Sequence, residues 1–220
     1  MSKGREWLFE RLWEVKATLG FGVLVGMVYT LQLTLAGSID NTAAYAVARE
    51  VLSSGGNFLF LSPLFHSYHA HVTENLLSLV IAGSVVERRI GSKPTAAFIY
   101  PTGIVTNAIP ALIGIGGLSI GISGTTYGLW TFIGCATFVL SIEGPNKVKT
   151  AVVRGVLGFL AVIQIFRGVS QFFGFIPVSA GVAAGGHFLG ILLGAGLFAG
   201  WFAVRTLGLE LSLDGTRAES

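Results

Sequence analysis

The sequence predicts an all-α membrane protein in which six transmembrane helices form one bundle with both termini in the cytosol. Of its 220 residues, 52% are hydrophobic and only 11% are charged, and the mean hydropathy is +0.74. A soluble domain carries about 25% charged residues, so too little charge is present here to cover a water-facing surface. This composition excludes a soluble globular domain, a disordered chain and a nucleic-acid-binding protein.

Long uncharged stretches give the positions of the helices. No Asp, Glu, Lys or Arg occurs in residues 17–39, 51–73, 94–142 or 168–204, and one membrane span needs about 20 residues. Two further helices are predicted where a single charged residue interrupts an apolar stretch, at Glu74 and at Arg154. The six predicted helices cover about residues 17–37, 70–88, 94–113, 122–141, 150–166 and 183–204.

The distribution of basic residues tests this count, because cytoplasmic segments of membrane proteins are enriched in Lys and Arg. If all six helices cross, 12 of the 14 basic residues lie on one side, and only Arg49 and Arg167 lie on the other. With five or seven helices, the basic residues would no longer be concentrated on one side of the membrane. We therefore predict an amphipathic cytosolic segment at residues 1–16, a six-helix domain at 17–204 and a cytosolic tail at 205–220.

Polar residues recur near the outer ends of the second, fourth and sixth predicted helices. They are His71 and Asn75 in the second, Ser123 in the fourth and His187 in the sixth. Polar groups at membrane depth are costly and are functional candidates by default. Because these three helices run in the same direction, their polar ends lie in one layer of the membrane.

The residue types in this layer indicate nucleophilic chemistry. A serine hydroxyl needs a base to take its proton, and His187 is the only histidine outside the cluster at residues 66–71. No acidic residue lies near Ser123 or His187 in the sequence, which favours a Ser-His dyad over a triad. His71 and Asn75 are four residues apart and share a helix face, from which both can donate hydrogen bonds to an oxyanion.

Four sequence motifs occur in order over about residues 60–200. They are H-x-x-x-N at His71–Asn75, E-R-R-x-G at Glu87–Gly91, G-x-S-G-x-x-Y at Gly121–Tyr127 and H-x-x-G-x-x-x-G at His187–Gly194. In this ordered set the chain resembles the rhomboid family of intramembrane serine proteases. The resemblance implies a six-helix fold, a Ser-His dyad that needs no metal or other cofactor, and cleavage of membrane-anchored substrates in or near their transmembrane segments.

The resemblance also implies a role for each motif residue. Ser123 is the expected nucleophile and His187 the general base, while His71, Asn75 and the Ser123 backbone N–H form the oxyanion site. Supporting positions are Tyr127, which can pack against the imidazole, and the glycines Gly121, Gly124, Gly190 and Gly194. The expected partners are transmembrane protein substrates and the lipid bilayer, with no nucleic acid, and the expected location is a prokaryotic plasma membrane.

Other readings of the same residues stay open. A metal site at His66, His69, His71 and Glu74 is possible by residue type, but the spacing is not H-E-x-x-H. A non-catalytic protein of the same fold that binds transmembrane helices is the main alternative to a protease. A small transporter is a third reading, although no internal repeat of the kind common in transporters is found.

Three features depart from the family pattern. The segment between the first two helices lacks the Trp-Arg pair common in rhomboid proteins, and Glu74 occupies a position expected to be apolar. The loop predicted at about residues 167–182 is long. These departures concern how a substrate reaches the site more than the chemistry.

Overall fold

The described part of the chain is helical throughout. The computed structural model describes residues 7, 10–53, 58–114, 119–142, 148–178 and 183–207, and these residues contain no strand. The helices are α1 (Lys16–Ala36), α2 (Asn41–Ser53), α3 (Phe58–Leu61), α4 (His69–Ser78, continued by a π turn at Leu79–Gly83 and by Ser84–Ile90), α5 (Ser92–Leu112), α6 (Ser123–Ile142), α7 (Val148–Phe172) and α8 (Ala184–Leu207). The prediction of an all-α fold is thus confirmed for these residues.

Each of the six predicted helices coincides with a helix of the structure, namely α1 and α4 to α8. Of the predicted N-terminal segment, residues 7 and 10–16 are described and include a helical stretch at 10–13, whereas the tail at 205–220 is described only to residue 207, the end of α8. Helix α7 continues to Phe172, so the connection to α8 is shorter than the predicted loop at 167–182. Residues 179–182 of that loop are outside the described part.

Helix α2 was not predicted. It lies between α1 and α4 and carries three buried apolar residues spaced four apart, Ala44, Ala48 and Leu52. This spacing places them on one face, which packs with Phe65 and Ile120 in a small apolar cluster. The segment also contains charged residues, so a search for uncharged stretches passes over it.

Within the described part of the chain, three helices are long and apolar enough to cross a membrane: α1, α7 from Ala151 onwards, and α8. Each carries large apolar side chains on its outer surface, such as Val23, Phe159 and Leu192, which are 62%, 66% and 53% exposed. A soluble monomer rarely exposes so many large apolar groups. This surface fits a lipid environment and supports the assignment of a membrane protein.

Helix α6 is the centre of the bundle, and residues 121–133 at its start are all buried. Helix α8 packs against it through glycines. A Cβ atom at Gly190 would collide with the carbonyl oxygen of Gly124, and one at Gly194 with the carbonyl oxygen of Gly128. Small residues allow helices in lipid to approach backbone to backbone, so this pair of contacts sets the separation of α6 and α8.

Glu87 joins α4 to the first turn of α1. Its carboxylate accepts hydrogen bonds from the backbone N–H groups of Ala17 and Thr18, at 2.9 and 2.8 Å, and the side chain is buried. The first N–H groups of a helix have no partner within the helix, and a negative charge there is favoured by the helix dipole. Glu87 therefore caps α1 from a neighbouring helix, while Arg88 lies 3.6 Å from Glu14 on the exposed side.

We expect Glu87→Gln to lower the thermal unfolding temperature in detergent, because the amide retains only one oxygen for two N–H donors. A buried hydrogen bond left unmade costs about 1–3 kcal/mol. The matched control is Glu14→Gln, which changes an exposed carboxylate and should leave the unfolding temperature unchanged. Equal unfolding temperatures for the two variants would contradict the capping role.

Candidate active site

Ser123 is the first residue of α6, and the loop that precedes it is held from both sides. Gly121 has φ +104°, a conformation that favours glycine. Its N–H donates to the carbonyl oxygen of Ser62 at 2.8 Å, and its own carbonyl oxygen accepts from Asn107 Nδ2 at 3.0 Å. Ser119 Oγ donates to Asn107 Oδ1 at 3.1 Å. The loop thus places Ser123 at a helix N-terminus, where backbone N–H groups are available.

The side chains of Ser123 and His187 meet in the bundle core. His187 Nε2 lies 2.9 Å from Ser123 Oγ, and the two residues are 4% and 8% exposed, in that order. The ring of Tyr127 stacks on the imidazole with centroids 4.3 Å apart and an interplanar angle of 29°. Gly168 of α7 lies against the Tyr127 ring, since a Cβ there would be 2.9 Å from a ring atom. The imidazole is therefore fixed in plane and position.

His71 and Asn75 of α4 line the same cavity as Ser123, and each has a side-chain nitrogen without a hydrogen-bond partner among the described residues. Ser67 Oγ lies 3.0 Å from His71 Nδ1, which leaves Nε2 directed towards Gly121. His71 Nε2 and Asn75 Nδ2 are both buried and have no hydrogen-bond partner among the described residues. Buried polar atoms are nearly always paired, so two such atoms side by side indicate a place that receives a polar ligand group.

Ser123, His187, His71 and Asn75 all line one cavity of about 210 Å³. The cavity is bounded by α4, α6, α7 and α8 and is partly open. Gly121 and Gly124 make room around it: a Cβ at Gly121 would lie 2.9 Å from the His71 ring, and one at Gly124 would collide with Thr106. The arrangement combines a serine next to a base with donors suited to a developing negative charge, and such a combination can perform acyl transfer.

Comparison with known families gives the same assignment as the sequence motifs. The model of the Rhomboid domain matches residues 53–206. The chain belongs to the rhomboid family. Proteins of this family are generally intramembrane proteases. No individual curated protein matches the chain.

Glu74, the departure from the rhomboid pattern, lies at the opening of the cavity. Its carboxylate is 3.7 Å from the guanidinium of Arg167 on α7, and the side chains are 63% and 47% exposed. An exposed ion pair contributes little to stability, about 0–1 kcal/mol. The pair explains how this rhomboid chain accommodates a charge on α4: Glu74 faces Arg167 and the cavity rather than the apolar interior.

Of the other histidines of the 66–71 cluster, His69 is engaged elsewhere, and His66 Nε2 has no hydrogen-bond partner among the described residues. His69 has both ring nitrogens occupied, by Tyr29 Oη at 3.0 Å and by the carbonyl oxygen of Ile39 at 2.7 Å. His66 is fully buried against the His71 ring, and burial holds the pKa of His66 well below its usual value, with His71 lowering it further. Within the described ranges, no three His, Cys, Asp or Glu side chains lie together as a metal site would require.

Two polar residues in this site were not predicted, Asn107 and Gln171. Asn107 supports the loop before Ser123 from the middle of α5. Gln171 Oε1 lies 2.6 Å from His187 Nδ1 and 3.4 Å from Tyr127 Oη. The sequence signal for each is an amide side chain within an apolar stretch. For Gln171 this signal is weaker, because the fifth predicted helix ends at residue 166 and places Gln171 in the following loop.

Proposed function

We propose that this chain is an intramembrane serine protease that hydrolyses peptide bonds in or near the transmembrane segments of membrane-anchored proteins. The observation that carries the proposal is the 2.9 Å approach of His187 Nε2 to Ser123 Oγ, beside two unpartnered donors in one cavity. Membership of the rhomboid family supports the same activity.

The 2.9 Å distance between Ser123 Oγ and His187 Nε2 supports proton transfer between the two residues. Ser123 Oγ attacks the substrate carbonyl carbon while His187 Nε2 takes the hydroxyl proton, and the resulting imidazolium then gives a proton to the leaving amine. The acyl-enzyme formed at Ser123 is hydrolysed by water, with His187 again as the base. Stacking on Tyr127 keeps the ring aligned through both steps.

The negative charge that develops on the substrate oxygen requires donors aimed at its position. We assign this role to the Ser123 backbone N–H, His71 Nε2–H and Asn75 Nδ2. Acceptance of a hydrogen bond from Ser67 by His71 Nδ1 would leave the proton on Nε2, which is the tautomer that can donate. The N-terminus of α6 adds its dipole at the same point.

The membrane arrangement is part of the proposal. All six predicted helices cross the bilayer, both termini are cytosolic, and the cavity opens towards the outer face, from which water reaches Ser123. A substrate helix must unwind locally before its carbonyl is exposed, because its backbone is hydrogen-bonded in lipid. Resemblance to the family suggests small residues at the cleavage site and helix-breaking residues beyond it.

The alternative is a rhomboid-fold protein that binds transmembrane helices without cutting them. Such a protein needs neither a serine hydroxyl next to a base nor unpartnered donors around it. Both features are present here, which favours the protease. An activated serine reacts with a fluorophosphonate and a packing serine does not, so this probe separates the two functions.

We expect purified wild-type protein to react with a fluorophosphonate and to cleave a transmembrane substrate, and Ser123→Ala to do neither while unfolding at the wild-type temperature. The matched control is Ser53→Ala, an exposed serine at the end of α2, which should keep both activities. Cleavage at the wild-type rate by Ser123→Ala would exclude the proposed nucleophile. A wild-type protein that neither reacts nor cleaves would favour the non-catalytic alternative.

The two motif histidines should differ in the size of their effects. Without His187 no group accepts the serine proton, so His187→Ala should reduce labelling to background. Loss of one oxyanion donor costs roughly 10²–10³ in rate, so His71→Ala and Asn75→Ala should still label slowly. The double variant should lose less than the product of the single losses, because both donors serve one oxygen. Labelling that survives in His187→Ala but not in His71→Ala would place the base on α4.

A further inference from the structure

We propose that Gln171 is the third member of the site: its side-chain carbonyl accepts a hydrogen bond from His187 Nδ1–H and so holds the imidazole with its Nε2 lone pair directed at Ser123. Gln171 is a positioning residue, since it acts on the substrate only through His187. It stands where a carboxylate stands in a Ser-His-Asp site. The role presupposes the proposed protease activity and deepens it.

The two ring nitrogens of His187 must be in opposite protonation states. Nε2 must be unprotonated to take the serine proton, so the single proton of the neutral ring must reside on Nδ1. An acceptor near Nδ1 favours that tautomer, and Gln171 Oε1 is 2.6 Å away in a buried side chain. When Nε2 takes the serine proton, Nδ1 keeps its own, because an amide oxygen is not a base at neutral pH. The asparagine of Cys-His-Asn proteases has the same relation to its histidine.

Tyr127 supports this orientation of the amide. Its hydroxyl lies 3.4 Å from the same Oε1 and can donate to the oxygen, whereas a reversed amide would present two N–H groups to the Nδ1–H and the hydroxyl. The Tyr127 ring stacks on the imidazole that Gln171 contacts. Tyr127 thus restrains both the plane of the base and the acceptor at its far nitrogen.

The backbone at the end of α7 holds Gln171 in place. The N–H of Gly174, at φ +77°, donates to the carbonyl oxygen of Gln171 at 3.2 Å, and the N–H of Phe175 donates to that of Ser170 at 2.8 Å. This pair of bonds is a Schellman motif, which ends a helix with a glycine in the left-handed conformation. The side chain is therefore presented from a fixed helix end rather than from a loop.

An amide suits this position better than a carboxylate for a physical reason. A buried charge is expensive within a membrane, and a neutral acceptor sets the tautomer without that cost. The titratable and charged groups that face His187 are Tyr127 of α6, Arg167 of α7, and His71 and Glu74 of α4, which line the same cavity. The structure gives none of these four groups a hydrogen bond to Nδ1 among the described residues, whereas Gln171 Oε1 lies 2.6 Å from it.

The test compares Gln171→Met, which keeps the length but not the acceptor, with Gln171→Glu, which keeps the acceptor. Val162→Met, at an exposed position of α7 that does not line the cavity, is the control. For each variant the measurements are the fluorophosphonate labelling rate, kcat and KM on a transmembrane substrate, and the pH dependence of labelling. We expect Gln171→Met to lose about 10–100-fold in kcat and labelling rate, the loss typical of a partner that orients a metal-bound histidine. KM should be unchanged, and Val162→Met should label at the wild-type rate.

In Gln171→Glu the carboxylate would keep the tautomer and stabilise the imidazolium, so we expect activity to be retained at high pH and the acidic limb of the pH profile to move to higher pH. A purely structural role would not move that limb. Wild-type labelling by Gln171→Met would overturn the inference while leaving the protease proposal intact. If Gln171→Met fails to fold, the pH profile of Gln171→Glu tests the inference instead. An acidic limb at the same pH as in the wild-type protein would then overturn the inference. Failure of the wild-type protein to label would instead refute the proposed function.

Discussion

The close contact between α6 and α8 is the constraint on which the site depends. Ser123 begins α6 and His187 lies in the first turn of α8, so the distance between their reacting atoms is set by how near the two helices come. That separation is set in turn by Gly190 against Gly124, where no side chain intervenes. In lipid the hydrophobic effect does not drive helices together, so close van der Waals packing between small residues is a main source of attraction. Here the contact that stabilises the bundle also aligns the proposed base with the nucleophile.

The second constraint is the satisfaction of polar groups in an apolar interior. Asn107 fixes the loop before Ser123, Ser67 contacts His71, and Gln171 contacts His187. Each of these partners removes an unpaired polar atom whose burial would cost about 1–3 kcal/mol. Two of the four buried side-chain atoms without a partner among the described residues, His71 Nε2 and Asn75 Nδ2, belong to residues that line the cavity, where the oxygen of a proposed substrate would supply a partner.

The helices and the candidate site residues could be predicted from the sequence, but the residues that hold them in place could not. Stretches with few or no charged residues predict α1 and α4 to α8 because charge within lipid is costly, and the ordered motifs predict which side chains face the cavity. Helix α2 was missed because it is short and contains charged residues. The acceptor role of Gln171 depends on where α7 ends and how α7 packs on Tyr127, and neither is visible in one sequence. For the same reason the partner of Glu87 could be found only once α1 and α4 were placed together.

The most direct test of this account is the fluorophosphonate labelling rate of glycine variants on α8. Gly190→Ala places a methyl group against the α6 backbone, whereas Gly196 and Gly200, on the same helix, have no atom within 4 Å of an added Cβ. Misplacement of a reacting group by about 1 Å can cost 10²-fold. The account predicts that Gly190→Ala loses labelling by about that factor or more, while Gly196→Ala and Gly200→Ala label at the wild-type rate. Wild-type labelling by folded Gly190→Ala would contradict the claim that helix separation aligns the dyad.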